Sequence, residues 1–292
     1  HELLEEEAGL PPGWLNTVTV PGRVADRLVT HEDVAAITFT GSPEVGWGIR
    51  ARAPRKRVGL ELGNDAPVIV HHDADTTAAA RAVAVGGYAF SGQTCISVQR
   101  VYVHDRVYED FLSQLSTAVE SLRTGDPADP ATDVSALIDT SETERVMGVI
   151  DEAVAAGADM VTGGPSDTAG LIRPTVLAGV RDDMTFCRSE LFGPAVGVRT
   201  YRDIDSAVAA ANDTRYGLQA GIFTRDISTG LQAAADLDFG GVCVNEIPTF
   251  RADQMPYGGI RDSGNTKEGP AWAVREMTEE RMVVVQVATE GE

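Results

Sequence analysis

The chain predicts an α/β fold with a mainly parallel sheet, and two observations carry the prediction. Short apolar, β-branched runs alternate with longer helical stretches along most of its length, the rhythm of βαβ units. At 292 residues and 43% apolar content there is also enough material for a full-sized core, in one large or two ordinary domains. Glu2 to Ala8 reads as an acidic helix closed by Gly9 and Pro11-Pro12. Leu15 to Val20 reads as a strand, Val24 to Val29 as a helix and Ala35 to Thr40 as a strand, with a further helix from Ser42. Pro67 to Val70 is a strand, Ala74 to Phe90 an Ala-rich helix and Arg100 to His104 a strand. Helices follow at Val107 to Leu122 and Glu142 to Ala156, then strands at Met160 to Thr162 and Ala195 to Thr200. Helix 203–211, strand 220–224, helix 227–235 and strand 241–245 complete the alternation. Segments 121–131 and 163–170 read as turn-rich loops. The tail, Met282 to Val287, is suited to an edge strand that pairs with something.

Composition excludes several functional classes. No run of about 18 apolar residues occurs, and the start has neither a basic segment nor an apolar stretch of signal-peptide type, so neither a membrane span nor a leader is expected. A cytoplasmic location is the default. Forty-four acidic against 24 basic residues give a formal charge of −20, which repels nucleic acid and anionic membranes. An anionic cofactor must then be held locally, by backbone amides and single basic groups. Cys95, Cys187 and Cys243 are odd in number and lack CxxC spacing, which argues against a disulfide framework or a zinc site.

Cys95 lies in Phe90-Ser91-Gly92-Gln93-Thr94-Cys95, a Gly-containing loop just past a helix and built for close backbone approach. Its residues alone leave two readings open, a small buried hydrophobe or a nucleophile. Ser42 followed by Pro43 looks like an N-cap and first helical position, so the turn Thr40-Gly41-Ser42 is either an ordinary capped helix start or a seat for an anion. Gly46 to Ala51 imitates a dinucleotide fingerprint, but it lies inside the helix, where the mechanism of that motif fails. His71-His72-Asp73 has ligand-type residues, yet neighbouring strand positions face opposite ways, so a solvated strand end and no metal are expected. Cys187 and Cys243 read as packing residues.

Five ordered motifs then make the chain resemble an NAD(P)-dependent aldehyde dehydrogenase over nearly its whole length. Gly92-Gln93-Thr94-Cys95 is similar to that family's active-site motif, and Leu60-Glu61-Leu62-Gly63 to its second signature, at the separation the family shows. Phe39 to Gly46 is similar to its cofactor-phosphate turn, Glu190-Leu191-Phe192-Gly193-Pro194 to its nicotinamide and ribose motif, and Met255 to Gly259 with Ser263-Gly264 to its late Gly-rich signature. Asn212 with Tyr216 to Leu218, then Phe223-Thr224, matches a further segment. The resemblance implies Cys95 as thiol nucleophile and Glu61 as the base that activates water. It also implies Thr40, Gly41, Ser42, Leu62, Gly63, Glu190 and Phe192 as holders of NAD or NADP, and a small aldehyde as substrate. Ile96, Ser97 and Phe250 are placed at the border of the aldehyde pocket, and lactaldehyde and other short aliphatic or hydroxylated aldehydes are the substrates suggested.

The same resemblance divides the chain. Residues 1–63 are the remaining part of a Rossmann-like cofactor domain, 64–255 an α/β catalytic domain of the aldehyde dehydrogenase type, 256–280 a segment returning toward the cofactor domain, and 281–292 an oligomerisation tail of a homodimer or homotetramer. Family members carry further N-terminal elements, among them an oxyanion-hole asparagine, whose loss commonly costs about 10²- to 10³-fold in rate. Asn64 stands where the family has a second glycine, and is expected to add a side chain near the site. Two alternatives remain at this stage: a truncated, non-catalytic assembly subunit, and a cofactor-independent thiol esterase.

Overall fold

The computed structural model describes residues 2–287. A short helical stretch, Leu3–Glu7, is followed by irregular chain to helix α1 (Gly22–Thr30). Strand β1 (Ala36–Thr40), helix α2 (Pro43–Arg52) and strand β2 (Arg57–Glu61) then form a βαβ unit, the two strands parallel with Thr40 opposite Glu61. Helix α2 starts where the sequence placed a cap: the Ser42 hydroxyl accepts from the Val45 amide at 3.4 Å.

The second sheet has seven strands. In chain order they are β3 (Pro67–Val70), β4 (Arg100–His104), β5 (Asp159–Pro165), β6 (Ile172–Ala178), β7 (Ala195–Tyr201), β8 (Gln219–Phe223) and β9 (Gly241–Val244). In space the order is β5-β6-β7-β4-β3-β8-β9, parallel throughout except for the β5–β6 pair. The helices are α3 (Thr76–Tyr88), α4 (Tyr108–Glu120), α5 (Thr140–Ala155), α6 (Thr185–Arg188), α7 (Ile204–Asn212), α8 (Ile227–Asp236) and α9 (Pro270–Glu276). Strands β3 and β4 are buried at every position because helices cover both faces. Val68, Val70, Val101 and Val103 pack under α3 and α4 with Val83, Phe111 and Leu115. The alternate residues Ile69 and Tyr102 face α7 and α8 with Ala207, Ala211 and Ala233. Asp75, Asp139, Asp203 and Asp226 each accept from a backbone amide of the first turn of the helix that follows, which fixes where α3, α5, α7 and α8 begin.

Several expectations are corrected. Leu15 to Val20 is not a strand: it pairs with nothing among the described residues and its apolar side chains are exposed, so the run has no sheet edge to complete and no face to bury. Gly163 and Gly164 do not open a loop but continue β5 through two register shifts against β6, both glycines at positive φ, as bulges allow. Helix α3 ends at Tyr88, short of Phe90. Met282 to Val287 is exposed and forms no strand among the described residues, and 288–292 of the tail lie outside them. No helix among the described residues is long and apolar enough to cross a membrane.

One buried ion pair locks the two halves of the site to the sheet. Arg100, 2% exposed, meets the fully buried Asp65 at 2.9 Å and also donates to the carbonyls of Asp65 and Ala211 and to the Tyr102 hydroxyl. The second carboxylate oxygen of Asp65 accepts from Thr214 at 2.7 Å. The segment after Glu61 is thereby tied to the strand after Cys95. Asp65→Ala leaves the guanidinium buried and uncompensated, and should destabilise the fold by about 3–5 kcal/mol. A urea-denaturation midpoint within error of wild type would refute that.

Candidate active site

Cys95 sits in the connection from α3 to β4, and the chain reaches it through three consecutive left-handed residues: Phe90 (φ 51°), Ser91 (φ 57°) and Gly92 (φ 73°). Such backbone is strained for Phe and Ser and persists only where the surroundings over-determine it. Here they do. Ser91 Oγ donates to the Ser135 carbonyl and accepts from the Ser135 amide, and a Cβ on Gly92 would lie 2.2 Å from the Gly193 carbonyl oxygen. Gln99 then clamps the loop to the 189–194 segment, donating to the Phe186 and Ser189 carbonyls while its own oxygen accepts from the Leu191 amide at 2.8 Å. Cys95 packs with Ile96, Leu218 and Tyr257, and its Sγ lies 2.9 Å from the Tyr257 hydroxyl. Burial pushes the thiol up; the Tyr257 hydrogen bond pulls it back, and the carboxyls of Glu190 and Glu61 add to the rise.

Glu61 closes β2 and is 5% exposed, yet neither carboxyl oxygen has a hydrogen-bond partner. Segment 263–265 holds its backbone, the Leu62 amide donating to the Ser263 carbonyl and the Leu60 amide to Asn265. Burial first, then the nearby Glu268, pushes Glu61 up to about 8, with Lys267 and Arg251 pulling the other way. A carboxyl group left unpaired at such depth is costly to the fold and is the kind of group that marks a functional site.

One cavity of about 800 Å³ gathers most of the candidates. Cys95, Gln93 and Thr94 line it beside Glu61, Leu62 and Gly63, and Thr40, Gly41 and Ser42 bring the N-terminus of α2 to its wall. Glu190 and Phe192 also line it. Glu190 accepts from the Asn64 amide at 3.1 Å and its carboxylate abuts Gly63, where a Cβ would approach to 2.3 Å. Burial pushes Glu190 up to about 7, the Asn64 amide opposing. Ile96, Ser97 and Phe250 do not line this cavity: Ile96 packs behind Cys95, Ser97 Oγ donates back to the Gly86 and Gly87 carbonyls, and Phe250 is half-exposed. Asn64 intrudes less than expected. Its amide turns inward to donate to the Gln219 carbonyl at 3.0 Å, and it does not adopt a positive φ.

Residues not singled out from the sequence also enter the site. Arg145, ion-paired with Glu142, and Arg215, ion-paired with Glu44 and Asp262, line the cavity wall, and Tyr216, named only as part of a motif, lines it while accepting from the Glu190 amide at 3.2 Å. Tyr257 lay within a motif, but nothing local ties a phenol to a thiol 162 positions away.

The expectation that His71, His72 and Asp73 face opposite ways needs a correction, since their side chains come together and meet further aromatic partners. His71 Nδ1 is 2.8 Å from the Tyr201 hydroxyl, its Nε2 is 2.8 Å from His72 Nδ1, and the His104 ring lies 5.2 Å from that of His72. His71, His72 and Asp73 bring ligand-type atoms within 4.8 Å of one another. Asp73, however, is engaged by the Thr224 hydroxyl and the Arg225 and Asp226 amides. The cluster also sits at the carboxyl end of β3, whereas Cys95 precedes the amino end of the parallel strand β4.

The comparisons with known proteins agree with one another. The model of the aldehyde dehydrogenase family matches residues 2–283. A 3-sulfolactaldehyde dehydrogenase of Priestia megaterium is 46% identical over 285 residues, covering 97% of this chain and 60% of that protein. Among solved structures, a glyceraldehyde-3-phosphate dehydrogenase of Methanocaldococcus jannaschii complexed with NADP superposes with a TM-score of 0.91 at 37% identity, covering 94% of this chain and 60% of that one. An NAD-dependent aldehyde dehydrogenase of Sinorhizobium meliloti gives 0.94 at 35% identity, covering 99% and 58%. The chain thus spans about 60% of the length of the relatives it matches.

Proposed function

This chain belongs to the aldehyde dehydrogenase family, and from that premise we propose that its cavity oxidises a short 2-hydroxy aldehyde to the carboxylic acid with NAD or NADP. The observation that carries the reading is the convergence of a half-buried thiol, Cys95, and an unpartnered buried carboxyl group, Glu61, on one cavity beside a helix N-terminus. The Priestia and Methanocaldococcus relatives are named for three-carbon hydroxy aldehydes, which supports the substrate class.

The residues fit a dinucleotide. The amino end of α2, with Thr40, Gly41 and Ser42, offers amides and a helix dipole to phosphate. The Glu190 carboxylate is held against Gly63 with its Oε1 on a backbone amide, placed to accept from ribose hydroxyls, and Phe192 supplies an apolar wall. When bound, the nicotinamide supplies the hydride acceptor. Cys95 does the covalent work: its thiolate adds to the carbonyl carbon, forming a C–S bond and making the centre tetrahedral, so that hydride can leave. After oxidation the acyl group remains on Cys95 as a thioester. Glu61 takes a proton from water as the water oxygen attacks that carbon; the C–S bond breaks and Cys95 recovers its electron pair as the acid departs.

A single-turnover experiment tests the reading: chain in excess over lactaldehyde or glyceraldehyde 3-phosphate, with NAD or NADP, recording reduced nicotinamide. Formation of reduced nicotinamide equivalent to the aldehyde added is expected. Its absence with every pair, from folded chain whose Cys95 still alkylates, would overturn the reading, and ester turnover without cofactor would point to a thiol esterase instead.

Glu190→Gln should weaken dinucleotide binding roughly tenfold, because an ionised acceptor becomes a neutral one. With the wild-type group at about 7, affinity should fall as pH drops through that value. Calorimetric Kd values for the variant that are unchanged, or that keep the same pH dependence, would remove Glu190 from the binding site.

A further inference from the structure

Tyr257 reaches Cys95 from the late Gly-rich segment, and its oxygen lies 2.9 Å from Sγ. The phenol is fixed in that position. Its side chain is 3% exposed and packs with Ile96 and Leu218, while the Arg251 guanidinium sits over the ring, 4.4 Å from its centroid, and is ion-paired with Glu268. The backbone is held from both sides, the Tyr257 amide donating to the Met255 carbonyl and the Glu268 amide to the Tyr257 carbonyl. Swinging the hydroxyl off the sulfur would unpack the ring from Ile96, Leu218 and the Arg251 guanidinium.

The sulfur needs such a donor. A thiolate at Cys95 must form where burial disfavours charge and where Glu190 and Glu61 face it. We propose that Tyr257 is a catalytic residue whose hydroxyl donates a hydrogen bond to Cys95 Sγ, stabilising the thiolate before it adds to the aldehyde and again when thioester cleavage returns the electron pair to sulfur. The phenol O–H bond stays intact throughout; the thiol proton leaves to solvent. Among the groups acting on Cys95, this hydrogen bond is the largest influence favouring the anion, and burial pushes the pKa of the Tyr257 phenol well above its ordinary value, so that it remains a donor across the working range.

The inference rests on Cys95 being the nucleophile, so its test reads the sulfur without a turnover. Iodoacetamide alkylation is followed in short pulses from about pH 7 to pH 12, with the Cys95 peptide quantified by mass spectrometry so that Cys187 and Cys243 do not contribute, for wild type and Tyr257→Phe. In the variant the alkylation midpoint should rise by about one pH unit, as loss of one hydrogen bond to a charged group implies. The rate near neutral pH should fall about threefold, since the tenfold loss of thiolate is partly offset by its greater nucleophilicity. Site-specific 3-fluorotyrosine at position 257, a stronger donor of almost the same shape, should move the midpoint below wild type, an effect that packing alone would not produce, and it carries the test should the Phe variant fold poorly. An unchanged midpoint in folded Tyr257→Phe protein, or one that does not respond to fluorination, overturns the proposal. A normal Cys95 titration in wild type without any reduced nicotinamide would instead count against the dehydrogenase reading.

Discussion

Cys95→Ala is expected to abolish single-turnover formation of reduced nicotinamide, by a factor on the order of 10⁴ or more, the scale on which removing a covalent nucleophile acts. The reason is chemical: hydride leaves readily from a tetrahedral centre but not from a trigonal aldehyde carbon, and Cys95 is the thiol on the cavity wall that can make the conversion. The other two thiols should not substitute for it. Cys187 is buried and pushed up to about 12, with the negative charge of Asp182 and Asp65 adding to burial, and Cys243 is pushed up to about 11. Neither lines the cavity, so Cys187→Ala and Cys243→Ala should keep the burst. A burst that survives in Cys95→Ala would mean that the reacting thiol has been misidentified.

How much was legible in the sequence follows from how local each signal is. Cys95 and Glu61 could be named because each sits in a short motif, and the cap at Ser42 could be read because a cap is a contact over three residues. Strand β6 was missed because Pro174 lies inside it, and proline weighs against a strand unless the position is a bulge or an edge. Strand β2 was missed as well: its Arg57-Val58-Gly59 start, with one of the five residues exposed, shows little alternation. The Asp65–Arg100 pair, the phenol on Cys95 and the arrival of His104 and Tyr201 beside the His71-His72 pair were not legible for one common reason. Each joins residues far apart in the chain, where a pattern of spacings carries no information: the register of β3, β4 and β7 sets Arg100 beside Asp65 and His104 and Tyr201 beside His71, and the late Gly-rich segment carries Tyr257 to Cys95.

Glu61→Gln should separate the two halves of the reaction. Cys95 and the hydride-accepting site are untouched, so the burst should survive; the base that deprotonates water is gone, so thioester cleavage should slow by about 10²- to 10⁴-fold and acyl-enzyme should accumulate, visible as a mass increase on the Cys95 peptide. Steady-state turnover in wild type should rise with pH through about 8, where burial and Glu268 place the carboxyl group, and the variant should lose that limb. The sign for stability is opposite. The folded value lies above the ordinary 4.5, so the fold favours the protonated form: this contribution is fully present below about 4.5 and is lost as pH rises through about 8. Glu61→Gln, which never ionises, should therefore lose less stability than wild type between those pH values, and denaturation midpoints that fall in parallel would contradict it. The same shift reconciles two demands on one small cavity. Near neutral pH Glu61 is mostly uncharged, so it opposes the Cys95 thiolate less during addition than an ordinary carboxylate would, whereas its ionised fraction, with no partner to hold it, is free to take a proton from water once the thiolate charge has been consumed in the thioester.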